Sequence, residues 1–239
     1  ITRARRHLLG RNPPRQSRDS GPLSGSGRPV AIVTGASRGI GKATAIELAR
    51  AGFDVAATAR TMLDGTARLG SRSDVVVPGG LDTTVAAVVA AGATGLAIPM
   101  DLLDPSTVAA VVPTVLDRFG RIDALVNNAV YQGQGTLAPI NELFPDELAT
   151  MFQGNVVAAL SLVQAALAPM VAQGGGSVVN LISGAGLLTP PARVGDGGWS
   201  VGYAMTKAAL GRLAPLLHVE YRDLGIRAFS VDPGLVVTE

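Results

Sequence analysis

Residues 30–41 read VAIVTGASRGIG, and no other stretch of the chain leaves the backbone fewer choices. An apolar run, Val30, Ala31, Ile32 and Val33, stops at Thr34; glycines follow at positions 35, 39 and 41, and a helical pattern begins at once. That succession predicts a buried strand, a tight turn and a helix. In such a turn Gly35 needs no room for a side chain, Gly39 lets a phosphate approach the backbone, and Gly41 lets the helix pack closely. The unpaired N–H groups of the first helical turn then face the phosphates. The spacing is G-x-x-x-G-x-G rather than the strict G-x-G-x-x-G fingerprint. Taken alone, therefore, the stretch is equally an ordinary glycine-rich turn.

The residues that follow sharpen it. Ala45, Ile46, Leu48 and Ala49 line a helix that Gly52 ends, and Val55 to Ala59 makes a second short buried strand, completing a βαβ unit. In a nucleotide-binding unit of this kind, a carboxylate at the tip of the second strand binds the ribose 2′-hydroxyl and repels a 2′-phosphate. Here the tip reads Ala59, Arg60, and Arg38 inside the turn adds a second guanidinium. Two arginines can hold a phosphate through paired charge-assisted hydrogen bonds, which favours NADP(H), with NAD(H) as the alternative. The competing interpretation is two solvated surface arginines.

Further along, residues 61–80 read as a loop punctuated by Gly65, Gly70, Pro78, Gly79 and Gly80. Asp82 is placed to cap a helix running to Gly92, Leu96 to Met100 is a third strand ending at Asp101, and Asp104-Pro105 opens another helix in which Pro113 should produce a kink. Ile122 to Val126 is a fourth strand leading into Asn127, Asn128 and Ala129. A long helical region from about Pro145 to Gln173 contains Asn155, Ser177 to Ile182 is a fifth strand ending at Ser183, a helix from about Ser200 to Arg222 carries Tyr203 and Lys207, and Ile226 to Val231 is a sixth strand. Strands alternating with helices predict a single α/β domain of the Rossmann type, a doubly wound parallel sheet with helices on both faces. Ligands in that architecture bind at the carboxyl ends of the strands.

Composition narrows the chemistry. The 239 residues are 47% apolar, enough for one good core, and contain no cysteine and two histidines. Thiolate metal sites are excluded, and His7 and His218 cannot form a zinc cluster between them, so no metal is expected. No uninterrupted apolar run reaches the length of a membrane span and the amino terminus lacks an apolar signal segment, so a cytoplasmic protein without a membrane partner is expected. Residues 1–28 hold seven arginines against one acid, Asp19, a balance of +6, while the remainder has 13 basic and 17 acidic residues, a balance of −4. The first segment predicts a disordered tail rich in Arg, Pro and Gly, with a targeting or nucleic-acid-binding arm as the alternative, ahead of a domain over 29–239. No nucleic-acid partner is expected. The chain begins with Ile1, which suggests a fragment or a processed product.

Together these motifs resemble the short-chain dehydrogenase/reductase family over about residues 29–239: Thr34-Gly-Ala-Ser-Arg-Gly-Ile-Gly41, Asn127-Asn128-Ala129, Asn155, Ser183, Tyr203-x-x-x-Lys207 and Pro233-Gly234-x-x-x-Thr238. The resemblance implies hydride transfer between a nicotinamide and a small-molecule carbonyl or alcohol. Charge builds on the carbonyl oxygen as hydride arrives, so a proton donor and hydrogen-bond donors must stand beside it. Tyr203 is the candidate acid; a free phenol has a pKa of about 10, and a cation nearby lowers it. Lys207, four residues on, supplies that charge from the same helical face and would hold the nicotinamide ribose. Ser183 would hydrogen-bond the substrate oxygen, and Asn155 would help relay protons through a water. On the cofactor side the family implies Asp101 at the adenine with Leu102 beside it, Asn128 and Ala129 at the ribose, Ser37 and Ile40 within the glycine turn, and the Val236 backbone at the carboxamide with Pro233, Gly234 and Thr238. A homodimer or homotetramer is the implied assembly. A non-catalytic nucleotide-binding or regulatory member of the same fold is the alternative.

The chain departs from the family in three places. Ser183 and Tyr203 are 20 residues apart, longer than usual, and the added length falls in Thr189 to Ser200, where Trp199 either meets substrate or fastens the loop. Val130 stands where the family has glycine. The chain ends at Glu239, just past the Pro-Gly motif, so a missing last strand and an exposed sheet edge are expected.

Overall fold

Our computed structural model describes residues 27–69 and 72–237. Six parallel strands form the central sheet: β1 (Val30–Thr34), β2 (Asp54–Ala59), β5 (Gly95–Pro99), β6 (Ala124–Asn127), β7 (Gly176–Leu181) and β8 (Ile226–Val231), in the order β5-β2-β1-β6-β7-β8. Every residue of β1, β2 and β6 is buried, which is why these strands read as continuous apolar or small-residue runs instead of alternating. Between β1 and β6 the winding reverses, and the crevice at their carboxyl ends is where this architecture takes ligands.

Helices α1 (Gly39–Arg50) and α2 (Leu81–Ala90) cover one face, where Val33, Ala45, Ala49, Val55, Leu81, Val88 and Val126 form one core. The other face carries α3 (Pro105–Phe119), then α4 (Pro145–Phe152) and α5 (Ala158–Ala172), and its core joins Ile32, Leu125 and Val178 to Val111, Val115, Leu162 and Met170. Helix α6 (Val201–Tyr221) packs on β7 and β8 and adds Leu217 to that second core. By length and composition residues 145–172 could cross a membrane, but here they are a core helix with Leu162, Val163, Ala166 and Met170 packed inward. The assigned helix runs unbroken through Pro113, which is exposed. Ala109, whose carbonyl the proline cannot serve as a donor, is exposed as well.

Two expectations need correction. Residues 61–80 are more than a loop: β3 (Ala67–Leu69) and β4 (Arg72–Val77) pair antiparallel within them. The triplet Val75-Val76-Val77 has the β-branched character of a strand, concealed by its glycine and proline flanks. Nor does Asp82 cap α2; the cap position is Gly80, and Asp82, in the first turn, accepts from the amides of Thr83 and Asp64.

Arg28, the last arginine of the basic segment, belongs to the fold. Its guanidinium donates to the carbonyls of Ala49 and Gly52 at the end of α1 and of Gly92 just past α2, and stands 3.6 Å from buried Asp54. At the far side of the sheet β8 is the outer strand among the described residues, with Phe229 and Val231 49% and 41% exposed.

Candidate active site

The glycine turn is built by a single hydroxyl. Thr34 Oγ1, buried at the end of β1, accepts from the amides of Asn128 and Ala129 at 3.0 Å each and donates to the Val126 carbonyl. The Asn128 side chain returns the link, its Nδ2 donating to the carbonyls of Thr34 (2.8 Å) and Gly35 (3.3 Å). The ends of β1 and β6 are thereby locked together across the switch point. Gly35 sits at φ +67°, and a Cβ there would come within 2.8 Å of the Ala129 backbone; one on Gly41 would collide with the Gly35 carbonyl. These two glycines serve close packing, and Gly39, at φ +53°, bends the chain into α1.

Arg38 precedes α1 in an extended conformation and provides no side-chain cap for the amides of the first turn, Gly39 through Gly41. Ser37 is buried beneath them. The turn is held from behind: Thr84 Oγ1 donates to the Ala36 carbonyl at 2.7 Å, and the Ala36 amide donates to Thr58. This is the arrangement that receives a diphosphate. Arg38 donates to Thr61 Oγ1 and the Gly79 carbonyl, both at 3.3 Å, while its buried Nε has no partner among the described residues. Burial, then the charge of Arg60, hold its pKa below the ordinary arginine value. A donor without a partner among the described residues, beside a second guanidinium and with Asp64 as the opposing charge, fits an anion such as a ribose phosphate. Asp101, at the end of β5, turns one oxygen onto the Leu103 amide, and Leu102 packs against the core.

A second group gathers at the carboxyl end of β7. Ser183 caps the short turn Gly184–Gly186, its Oγ accepting from the Ala185 amide at 3.2 Å. That turn lies against α6 so closely that a Cβ on Gly186 would come within 2.8 Å of the Lys207 backbone. Lys207 is buried, its Nζ donating to the Leu181 carbonyl at 2.7 Å and lying 5.8 Å from the centre of the Tyr203 ring. Burial pushes its pKa down to about 8, opposed by the charge of Asp232. Asn155 occupies a π-helical turn, Gln153–Val157, between α4 and α5. Such turns are frequent at functional sites because they re-aim one side chain. Its Oδ1 accepts from the Tyr131 amide at 2.6 Å, its Nδ2 donates to Thr206 Oγ1 at 3.3 Å, and Thr206 donates to the Tyr203 carbonyl at 2.9 Å.

The structure thus brings Ser183, Tyr203, Lys207 and Asn155 to one end of the sheet, with the glycine turn across the crevice. Pro233, Gly234 and Val236 follow β8 in exposed chain, and Gly234 donates to Asp232. Thr238 lies outside the described residues. Thr34, Ser200 and Thr206 are supporting hydroxyls that sequence reasoning missed. Thr34 stands in the glycine-turn motif without a role assigned to it, and Ser200 and Thr206 have no spacing signal of their own.

The family model described as short chain dehydrogenase matches residues 29–239. Agropine synthesis reductase of Rhizobium rhizogenes is 32% identical over 216 residues, 88% of this chain but 43% of that protein, so the chain spans less than half of that relative. L-rhamnose 1-dehydrogenase (NAD(P)(+)) of Sphingomonas sp. strain SKA58 is 33% identical over 209 residues, covering 87% of this chain and 72% of the relative. Among solved structures, acetoin dehydrogenase from Salmonella typhimurium superposes with a TM-score of 0.71 at 28% identity, covering 89% of this chain and 74% of its own. NAD+-bound xylitol dehydrogenase gives 0.70 at 28% identity, covering 86% and 70%.

Proposed function

Since the chain belongs to the short-chain dehydrogenase/reductase family, we propose that it is an NADP(H)-dependent oxidoreductase acting on a small carbonyl or alcohol, with Tyr203 as general acid and base. The observation that carries this reading is the buried Lys207 ammonium beside the Tyr203 ring, on the helix against which the Ser183 turn packs. Bound NADP(H) supplies the hydride. In reduction, Tyr203 Oη gives its proton to the substrate oxygen as charge develops there, and Ser183 Oγ donates a hydrogen bond to the same oxygen. The Lys207 charge, little screened because it is buried, stabilises the phenolate left on Tyr203. Asn155 steers the proton relay and, through Thr206, holds the turn of α6 that carries Tyr203.

The first-turn amides of α1 would hold the cofactor diphosphate, with Arg38 and Arg60 at a 2′-phosphate. The NAD(H) alternative has support in the relatives, one named for both cofactors and one solved with NAD+. What favours NADP(H) here is the Arg38 Nε, without a partner among the described residues, beside a second arginine. A homodimer or homotetramer in the cytoplasm is the assembly this reading expects.

The decisive variant is Tyr203→Phe. Turnover should fall by at least a hundredfold, measured as NADPH oxidation with a panel of ketones and aldehydes, while NADPH binding measured by fluorescence stays within twofold. Substantial residual turnover would remove Tyr203 from the role of acid.

A further inference from the structure

Ser200 is 3% exposed and stands immediately before α6, three residues ahead of Tyr203. Its hydroxyl is engaged in both directions: Oγ donates to the Thr136 carbonyl and accepts from the Tyr203 amide at 3.4 Å. The Ser200 carbonyl meanwhile receives the Ala204 amide and opens the helix. Thr136 belongs to the segment 131–143 that follows the Asn-Asn-Ala motif. The other end of that segment is also tied to α6, from the Tyr131 amide through Asn155 and Thr206 to the Tyr203 carbonyl. Leu143 completes the contact: a Cβ added to Gly135 or to Gly202 would come within 2.7 or 3.5 Å of its methyl groups. The Tyr203 backbone is therefore held by a hydroxyl on each side, Ser200 at its amide and Thr206 at its carbonyl, and both hydroxyls lead to one segment.

We propose that Ser200 is a positioning residue for Tyr203, a latch that fixes the first turn of α6 against the segment 131–143 and so sets where the phenol stands over the substrate. The assignment rests on the oxidoreductase reading above. The physical case is that an acid must be in hydrogen-bond reach of the oxygen it protonates, and a displacement of about 1 Å can cost about a hundredfold in rate. A cap hydroxyl contributes only about 1 kcal/mol to folding. Removing Ser200 Oγ therefore disturbs chemistry far more than stability, and it leaves the glycine turn across the crevice untouched.

The test uses the full chain and its Ser200→Ala, Ser200→Thr and Tyr203→Phe variants. NADPH oxidation is followed with cyclohexanone, acetoin, benzaldehyde and ethyl acetoacetate, taking the compound turned over fastest by the unaltered chain. Ser200→Ala should lower kcat at least tenfold with KM for NADPH within twofold and Tm lowered by only a few degrees, and Ser200→Thr, which keeps the hydroxyl, should recover most of kcat. If Ser200→Ala keeps kcat within twofold, if Ser200→Thr loses as much as Ser200→Ala, or if KM for NADPH rises in step with the loss, the latch is refuted. A Tyr203→Phe chain that stays active sinks the assignment of Tyr203 as the acid, on which the latch rests, instead. An inactive Tyr203→Phe beside a fully active Ser200→Ala sinks the latch alone.

Discussion

The charge of Arg60 acts against that of Arg38, and on the proposed reading a phosphate would relieve that repulsion and partner the buried Arg38 Nε. Charge-assisted hydrogen bonds of this kind are worth about 1.5–3 kcal/mol each. Arg38→Ala or Arg60→Ala should therefore raise KM for NADPH by about 10- to 100-fold and leave KM for NADH nearly unchanged, measured by steady-state kinetics with both cofactors. Equal or better use of NADH by the unaltered chain would overturn the preference. Lys207 carries a second expectation. With its pKa pushed down to about 8 by burial, the ammonium is largely charged at pH 7 and is lost as pH rises through 8. The charge that stabilises a Tyr203 phenolate disappears with it, so kcat/KM for reduction should fall along an alkaline limb centred near pH 8 in a pH–rate profile. At this scale the motif residues were readable because their chemistry and order were distinctive. The hydroxyls that hold them, Thr34, Ser200 and Thr206, were not, because their partners are 94, 64 and 51 residues away in sequence.

Elements were readable where burial controls sequence. The strands β1 and β2 sit within a residue of their expected bounds, since a strand buried on both faces admits only apolar and small residues. The pairing of Ala67–Leu69 with Arg72–Val77 was hidden because the hairpin lies outside the main sheet, between glycines that read as loop. The π turn around Asn155 was equally hidden, since one inserted backbone residue leaves no periodicity to detect. Arg28 is an element-scale device, as its guanidinium meets carbonyls at the carboxyl ends of two helices, where a cation opposes the helix dipole. Replacing it with alanine removes these bonds and the cation beside buried Asp54, a loss of about 2 kcal/mol. In thermal denaturation Arg28→Ala should lower Tm by about 4–8 °C at this chain length.

For the whole molecule, the six-strand order β5-β2-β1-β6-β7-β8 puts the two halves of the site on opposite sides of one switch point. A cofactor spanning that crevice would bridge the glycine turn and the β7 end, and would stabilise the entire fold by mass action. At a hundred times its dissociation constant NADPH should contribute about 2.7 kcal/mol, a rise in Tm of roughly 5–10 °C by thermal scan. NADH at the same concentration should give a clearly smaller rise. The architecture was legible from alternating strands and helices, while the substrate pocket was not, because the segments 131–143 and 187–199 carry no periodic pattern from which a shape could be read.

The position of Arg28 also decides where the basic segment can be cut. A nucleic-acid role for the arm would naturally be tested by deleting it, and a deletion through residue 28 would strip the cation from both helix ends. Any loss of binding or activity in that chain would mix a weakened fold with a missing arm. Deleting through residue 27 separates the two: binding that vanishes while Tm holds belongs to the arm itself.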